Sequence, residues 1–377
     1  MVQTFSVADA CLVHRDGKIM QIKKVKKSDR CCVLISGTNS EGETVTKLLG
    51  VPEIPSGTGA AQEKAVTSKL QQWNVQDGIV GIVFDTTASN TGQWRGACTM
   101  IEQELKRGIL WLACRHHIYE LHIKHVSEKV TGSTKDPGVA LFKRLKTSWS
   151  SLHIDMDQLT TFDHHASDAA LQRCALEVLA WANTIVDKTW PRDDYKELIE
   201  LIIVWLGGHV RNFNFKMPGA DHHARWMSKA IYFMKLAIIE KQFEMSDSEK
   251  NQVQKMAEFI GLFYGEAFIK APLSSSAAAN DVRFMTFMQM YSQYQPDIAK
   301  AAMDSAKRHL WYLTPQLLPM CLVDNEMEVQ IREQIARKLS EVDRPHTFVP
   351  KKTTTFPQFP KENGSEVFVI GDFLVNE

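Results

Sequence analysis

Neither sign of charge is in surplus: 44 Lys and Arg balance 44 Asp and Glu over 377 residues, for a formal net charge of zero and a pI near 7.2. That balance excludes a protein drawn to nucleic acid by bulk positive charge. It leaves phosphate contacts to local patches such as Lys23 to Lys27 and Lys143-Arg144-Lys146. The first patch reads equally well as a solvated strand edge whose lysines discourage aggregation. No uninterrupted apolar run approaches the length of a membrane span, and no charged-then-apolar signal opens the chain. Seven cysteines (Cys11, Cys31, Cys32, Cys98, Cys114, Cys174 and Cys321) are an odd number without framework spacing, which excludes a disulfide scaffold and points to a reducing intracellular compartment. The expectation is a soluble protein with no membrane partner.

At 377 residues and 42.8 kDa, with 44% hydrophobic content, the chain exceeds one ordinary domain and can bury a substantial core. The run from Gly78 to Phe84 is rich in Ile and Val, and Asp85-Thr86-Thr87-Ala88-Ser89-Asn90 follows at once. This predicts a buried strand with Asp85 at its carboxyl end. Ligands of open α/β sheets gather at that end, which makes Asp85 a candidate for chemistry; the plainer alternative is an aspartate that caps a turn or a helix. Ala10 to Arg15 predicts a short strand ending at Asp16-Gly17, with Lys18 to Lys23 as its hairpin partner and Arg30 to Gly37 as a third strand. A Pro/Gly-rich loop, Val51 to Gly59, and a helix from about Ala60 to Trp73 lead to the Asp85 strand. A helix from about Trp94 to Lys106 and a strand from Ile109 to Ala113 come next.

Three meandering strands, then helix, strand, helix, strand and helix, is the order of the ribonuclease H-like fold. Its first and fourth strands lie parallel and adjacent, so Asp16 and Asp85 are expected to emerge together. Two carboxylates so placed repel each other unless a divalent cation bridges them, and Mg²⁺ takes carboxylate, phosphate and water oxygens. Two such ions about 3.5–4 Å apart serve phosphodiester chemistry. The fold class expected is therefore α/β, a ribonuclease H-like mixed sheet core with a large all-α insertion.

On these and further stretches the chain resembles the hAT superfamily of DNA transposases, in particular transposon-derived proteins of invertebrate type. The matching segments are Val13 to Lys18, Leu48 to Pro52, Pro55 to Ala61, Phe84 to Gly92, Leu112 to His117, His222 to Met227 and His309 to Thr314, in order, from about residue 11 to 323. The resemblance implies an Asp-Asp-Glu site in which Asp16 and Asp85 are the first two acids and hold Mg²⁺ or Mn²⁺. It makes Cys114 and His117 the Cys-x-x-His pair beside that site. Arg225 and Trp226 become the Arg-Trp motif, whose tryptophan lies near the DNA end in active members. It also implies a nuclear protein, DNA as partner, and a homo-oligomer. The third acid departs from the pattern. Similar proteins carry acidic residues after the Thr where this chain reads Tyr312-Leu313-Thr314-Pro315-Gln316-Leu317, and Glu326 and Glu328 are the nearest substitutes. The first strand begins about ten residues from Met1, leaving no room for the zinc-finger domain that normally precedes the core.

Two functional classes follow. One is a degenerate transposase domain that acts as a nucleic-acid or protein interaction module, favoured by the missing third acid, the neutral charge and the missing finger. The other is an active metal-dependent transposase or nuclease, favoured by the intact acids and Cys-x-x-His pair. The organisation expected is a core over 1–130, a helical insertion over 131–308, terminal helices over 309–342 returning to the core, and a mobile tail over 343–377. Helical spacing covers Asp168 to Asp187, Arg192 to Leu206, Ala224 to Phe243, Ser248 to Lys270, Asp281 to Tyr294 and Glu326 to Val342, with Ser274 to Ala279 as a linker and Glu366 to Ile370 as a short strand or docking segment. Three histidine pairs, His116-His117, His164-His165 and His222-His223, resemble metal ligands. Neighbours on a helix point about 100° apart, however, so both seldom bind one ion. Asp163-His164-His165 and Asp221-His222-His223 match a phosphoesterase-family triad, yet neither follows an apolar strand. A zinc on Cys114 and His117 lacks two further ligands of recognisable spacing. The Ser56-Gly57-Thr58-Gly59 loop lacks the Gly-Lys-Ser/Thr ending of a P-loop, so a plain helix start is the stronger reading over a phosphate cradle.

Overall fold

The computed structural model describes residues 10–22, 26–38, 43–92, 94–132, 139–165, 167–219, 226–273, 276–309 and 318–341. The chain is a mixed α/β protein that divides into two compact units. One holds residues 1–118, 307–323 and 327–377, and the other holds residues 119–306 and 324–326. The division falls inside a helix, Arg115–Thr131, at residues 118 and 119 rather than at residue 130. The expected strand at Glu366 to Ile370 and the expected tail lie outside the described residues.

The first unit is built on a sheet of six strands: β1 (Cys11–Ile22), β2 (Lys26–Thr38), β3 (Thr44–Gly50), the two-residue β4 (Glu53–Ile54), β5 (Ile79–Phe84) and β6 (Leu110–Ala113). Their order is β3-β2-β1-β5-β6, with β4 paired to β2. β1, β2 and β3 form an antiparallel meander, whereas β1, β5 and β6 run parallel. Here the Asp16-Gly17 reading needs correction. The two residues do not turn a hairpin; β1 runs straight through them. Its partner is β2, in register from Cys11 opposite Gly37 to Ile22 opposite Lys26. An Asp-Gly pair makes a turn only when the segments flanking it pair with each other, and here the longer ladder to β2 wins. Arg30 to Gly37 is thus part of the second strand, and the third, β3, lies between it and the Val51 to Gly59 loop, where no strand was expected.

Between β5 and β1 the pairing skips a residue: Cys11 lies opposite Ile79 and Leu12 opposite Gly81. This bulge re-phases β5, so that Ile79, Ile82 and Phe84 all reach the buried face. That face also carries Cys11, Val13, Cys31, Val33 and Ile35. It is covered by α1 (Gly59–Gln72) and by α3 (Ala97–Leu105), which follows the short α2 (Ala88–Thr91). α1 turns Gln62, Ala65, Val66 and Leu70 inward at three- and four-residue spacing, and α3 buries Cys98 and Ile101. A Cβ on Gly59 would collide with the Arg95 carbonyl, so glycine is what lets α1 start against the segment that leads into α3.

In the second unit, the remainder of α4 (Arg115–Thr131) is followed by α5 (Ala140–Ser148), α6 (Ala169–Ile185), α7 (Asp193–Trp205), α8 (Ser228–Ile238), α9 (Asp247–Phe259), α10 (Gly265–Lys270), α11 (Ala277–Tyr291) and most of α12 (Pro296–His309). Asp168 caps α6 through Ala170 N–H, and Ser246 with Glu249 makes a capping box on α9. Between α9 and α10 the helix widens to a π turn at Ile260–Tyr264. The expected linker over Ser274 to Ala279 gives way to helix at Ala277, because Asp324 accepts from Ala279 N–H at 2.7 Å and satisfies the first turn of α11. A last helix, α13 (Val329–Glu341), belongs to the first unit. Among the described residues, no helix is long and apolar enough to cross a membrane.

Candidate functional site

β1 and β5 position the two candidate acids. Their last paired residues are His14 and Val83, and carrying that register two residues further sets Asp16 level with Asp85. Alternation assigns both to the face away from the core: Arg15 and Phe84 are buried, whereas Asp16 is exposed and Asp85 half-buried. His14, on the same side, bonds Ser36 Oγ through Nε2 at 2.6 Å, and burial holds its pKa below the usual histidine value.

Asp85 is also a structural residue. Its Oδ1 accepts from the Thr87 amide at 3.1 Å, from the Thr87 hydroxyl at 2.7 Å and from the Asn90 side-chain amide. Asn90 also donates to the Asp85 carbonyl at 3.0 Å. The carboxylate therefore shapes the turn into α2, the plainer of the two readings of this residue. Oδ2 takes part in none of these bonds.

Cys114 stands close to this turn. Its amide donates to the carbonyl of Phe84, the residue before Asp85, at 2.7 Å, and its own carbonyl accepts the first helical bond of α4 from Ile118. His117 lies in that helix's first turn. Trp226 belongs to the second unit, where Lys124 and Lys229 stand 5.0 and 5.5 Å from its ring centroid. Arg225, His222, His223 and Asp221 lie outside the described residues, as do residues 310–317. Glu326 and Glu328 are exposed; the Glu326 amide closes a turn on Asp324 at 3.0 Å. In the Asp163 triplet, the carboxylate accepts from His165 N–H at 2.9 Å and His164 meets the Leu206 carbonyl at 3.1 Å, a turn built from backbone contacts.

Several residues of the site were passed over as single residues in the sequence. Arg15 is only 5% exposed. Its Nη1 donates to Gln62 Oε1, while Nε and Nη2 are buried without an acceptor. Gln62 in turn donates to the Gly57 carbonyl at 2.8 Å and reaches Ser89 Oγ at 3.5 Å. Ser89 Oγ lies 3.1 Å from the Thr87 hydroxyl, so a polar chain runs from Arg15 to Asp85. The guanidinium also acts on Cys31: burial pushes that thiol up and Arg15 pulls it back down. Arg15 gave no signal of burial in its strand of mixed residues, and Trp94, 73% exposed, was absorbed into a helix.

Two carboxylates at one level suit a hard divalent cation, which accepts one or two protein carboxylates and completes its shell with water and phosphate oxygens. Among the described residues no group of three or more His, Cys, Asp or Glu is placed to hold a metal ion. A cation held by Asp16 and Asp85 would polarise a phosphodiester oxygen. Comparison with family models finds no match for the chain, and a search of curated proteins finds none.

Proposed function

We propose that this chain is a ribonuclease H-like domain of transposon origin, a degenerate relative of the hAT transposases that acts as a nucleic-acid interaction module. The observation that carries the reading is the sheet: order β3-β2-β1-β5-β6, antiparallel then parallel, with an aspartate at one level on each of two neighbouring parallel strands. Engagement of Asp85 Oδ1 by Thr87 and Asn90 supports a carboxylate retained to hold the fold. The level placement of Asp16 and Asp85 keeps a second reading open, a metal-dependent nuclease acting on phosphodiester bonds.

Mn²⁺-dependent nicking of linear and hairpin DNAs separates the two, with the wild type compared to Asp85→Asn. The module reading expects DNA binding without nicking above the Asp85→Asn level. Nicking abolished by the substitution would establish the nuclease instead. Weak Mn²⁺ binding, measured by calorimetry, is expected to fall in both Asp16→Asn and Asp85→Asn; loss in neither removes the role assigned to these acids.

A further inference from the structure

The chain leaves the first unit inside α4, between residues 118 and 119, and returns to it inside α12, between residues 306 and 307. Within the second unit a single hydroxyl ties these two helices together. Ser305 of α12 is fully buried, and its Oγ lies 2.9 Å from His122 Nδ1 and 2.9 Å from His125 Nδ1. The two histidines follow each other by three positions and so share a face of α4. His122 is buried, stacked on Phe284 of α11 at 5.5 Å and set against the edge of Tyr119 at 5.0 Å, whereas His125 is half-buried.

A serine has one hydrogen to give, and this fixes the protons around it. One Nδ1 accepts the Ser305 O–H, so its ring is neutral and carries its hydrogen on Nε2. The other Nδ1 bears a hydrogen and donates it to Oγ. That second ring can take a further proton on Nε2 without disturbing either bond. A proton on the remaining ring is different. Both Nδ1 atoms then carry hydrogen, the Ser305 hydrogen loses its ring acceptor, and two imidazolium rings stand against one buried oxygen.

The packed elements bring further charged and titratable groups. Asp281 of α11 accepts from the Tyr119 hydroxyl at 2.5 Å, and Arg283 of α11 reaches Glu177 at 3.3 Å and Glu266 at 3.7 Å. On α12, Lys300 pairs with Asp304 at 2.6 Å, and Asp297 meets Lys129 of α4 at 3.5 Å. α4 adds Glu120, Glu128 and Lys124, the last 5.0 Å from the Trp226 ring, and Tyr264 of the π turn stands 6.5 Å from Tyr119. The carboxylates among them favour the first proton, but they leave the hydrogen count at the shared oxygen unchanged.

We propose that His122, Ser305 and His125 form a one-proton clasp between α4 and α12, closed while the pair holds at most one added proton and released when acid supplies a second. The sign follows from the proton count. With the clasp open, both rings take a proton below about pH 6.5, the ordinary histidine value, whereas the closed clasp takes one. The open state binds more protons, so closure weakens as pH falls, by up to about tenfold per pH unit below about 6.5.

Hydrogen exchange of the full chain, followed by mass spectrometry and corrected for intrinsic rate, tests this at about pH 7.5 and about pH 5.5. In the wild type, segments from α4 and α12 should lose protection together at the lower pH, by about tenfold. His125→Asn sets an amide oxygen in place of Nδ1, which accepts the Ser305 hydrogen and takes no proton, so His122 can be protonated and keep its bond. The acid loss should vanish there, and equally in His122→Asn, whatever either substitution costs at the higher pH. A histidine that only packs would lower protection at both pH values and leave their difference intact. Wild-type protection that does not change with pH overturns the clasp. So does an acid loss confined to one of the two helices, or one that persists in His125→Asn, since it then belongs to His122 alone. Should His122→Asn not fold, the half-buried position decides by itself.

Discussion

Asp85 shows how one carboxylate serves two readings at once. Its sequence context, an apolar strand followed by Thr-Thr-Ala-Ser-Asn, fits a site residue and a capping residue alike, and the structure gives Oδ1 the capping work. Asn90 is the main partner in that turn, since it is 5% exposed and donates to both the carbonyl and the carboxylate of Asp85. Asn90→Ala should therefore cost about 1–3 kcal/mol, the range for stranding a buried acceptor. Urea unfolding would read it as a lower midpoint at unchanged slope. An unaltered midpoint would mean that water replaces the amide, and that the turn does not depend on Asn90.

At the scale of elements, close packing of α7 on the π turn and on the start of α10 is decided by two glycines. A Cβ on Gly261 would overlap the Trp205 ring, and one on Gly265 would overlap Ile202, whereas a Cβ on Gly57 meets nothing within 4 Å. Gly261→Ala should thus destabilise by roughly 1–3 kcal/mol through overpacking. Gly57→Ala should be neutral or stabilise by about 0.4–1 kcal/mol, because it restricts only the unfolded chain. Thermal midpoints of the two variants measured side by side test the contrast; equal shifts would show that the α7 contact yields without cost. Helix spacing located α6 and α7 to within a few residues, since each carries its own apolar stripe, and read α9, the π turn and α10 as one helix from Ser248 to Lys270. The strand at Asp16-Gly17 was misread because turn chemistry is local and ladder pairing is not.

For the molecule as a whole, burial sets a pH dependence. The Cys174 thiol is pushed up to about 11, by burial above all, with Glu177 adding to the effect and Arg283 and Arg173 opposing it. A thiol in the unfolded chain ionises near 9.0, so between these values the unfolded state holds fewer protons than the folded one. Stability therefore falls as pH rises past about 9, and the loss, on the order of 2–3 kcal/mol, is complete above about 11. The check is the stability difference between wild type and Cys174→Ala from about pH 8 to about pH 10.5, which cancels the other titrating groups. The wild-type advantage should shrink with pH; a constant difference would remove the thiol from the account.

Taken alone, the sequence determined the kinds of elements, because apolar periodicity and capping residues act over a few neighbours. It marked the strand before Asp85, the helix from Gly59, and the helical character of the second unit. What only the tertiary structure decided was partnership. The pairing of β1 with both β2 and β5 sets Asp16 level with Asp85, and the bulge at Val80 fixes which face β5 turns to the core. The burial of Arg15 behind Gln62, and the packing of the Arg95 carbonyl against Gly59, depend on strands and helices far apart in the chain. No window of sequence contains them, because such contacts follow from how the sheet is assembled rather than from the preference of any one segment.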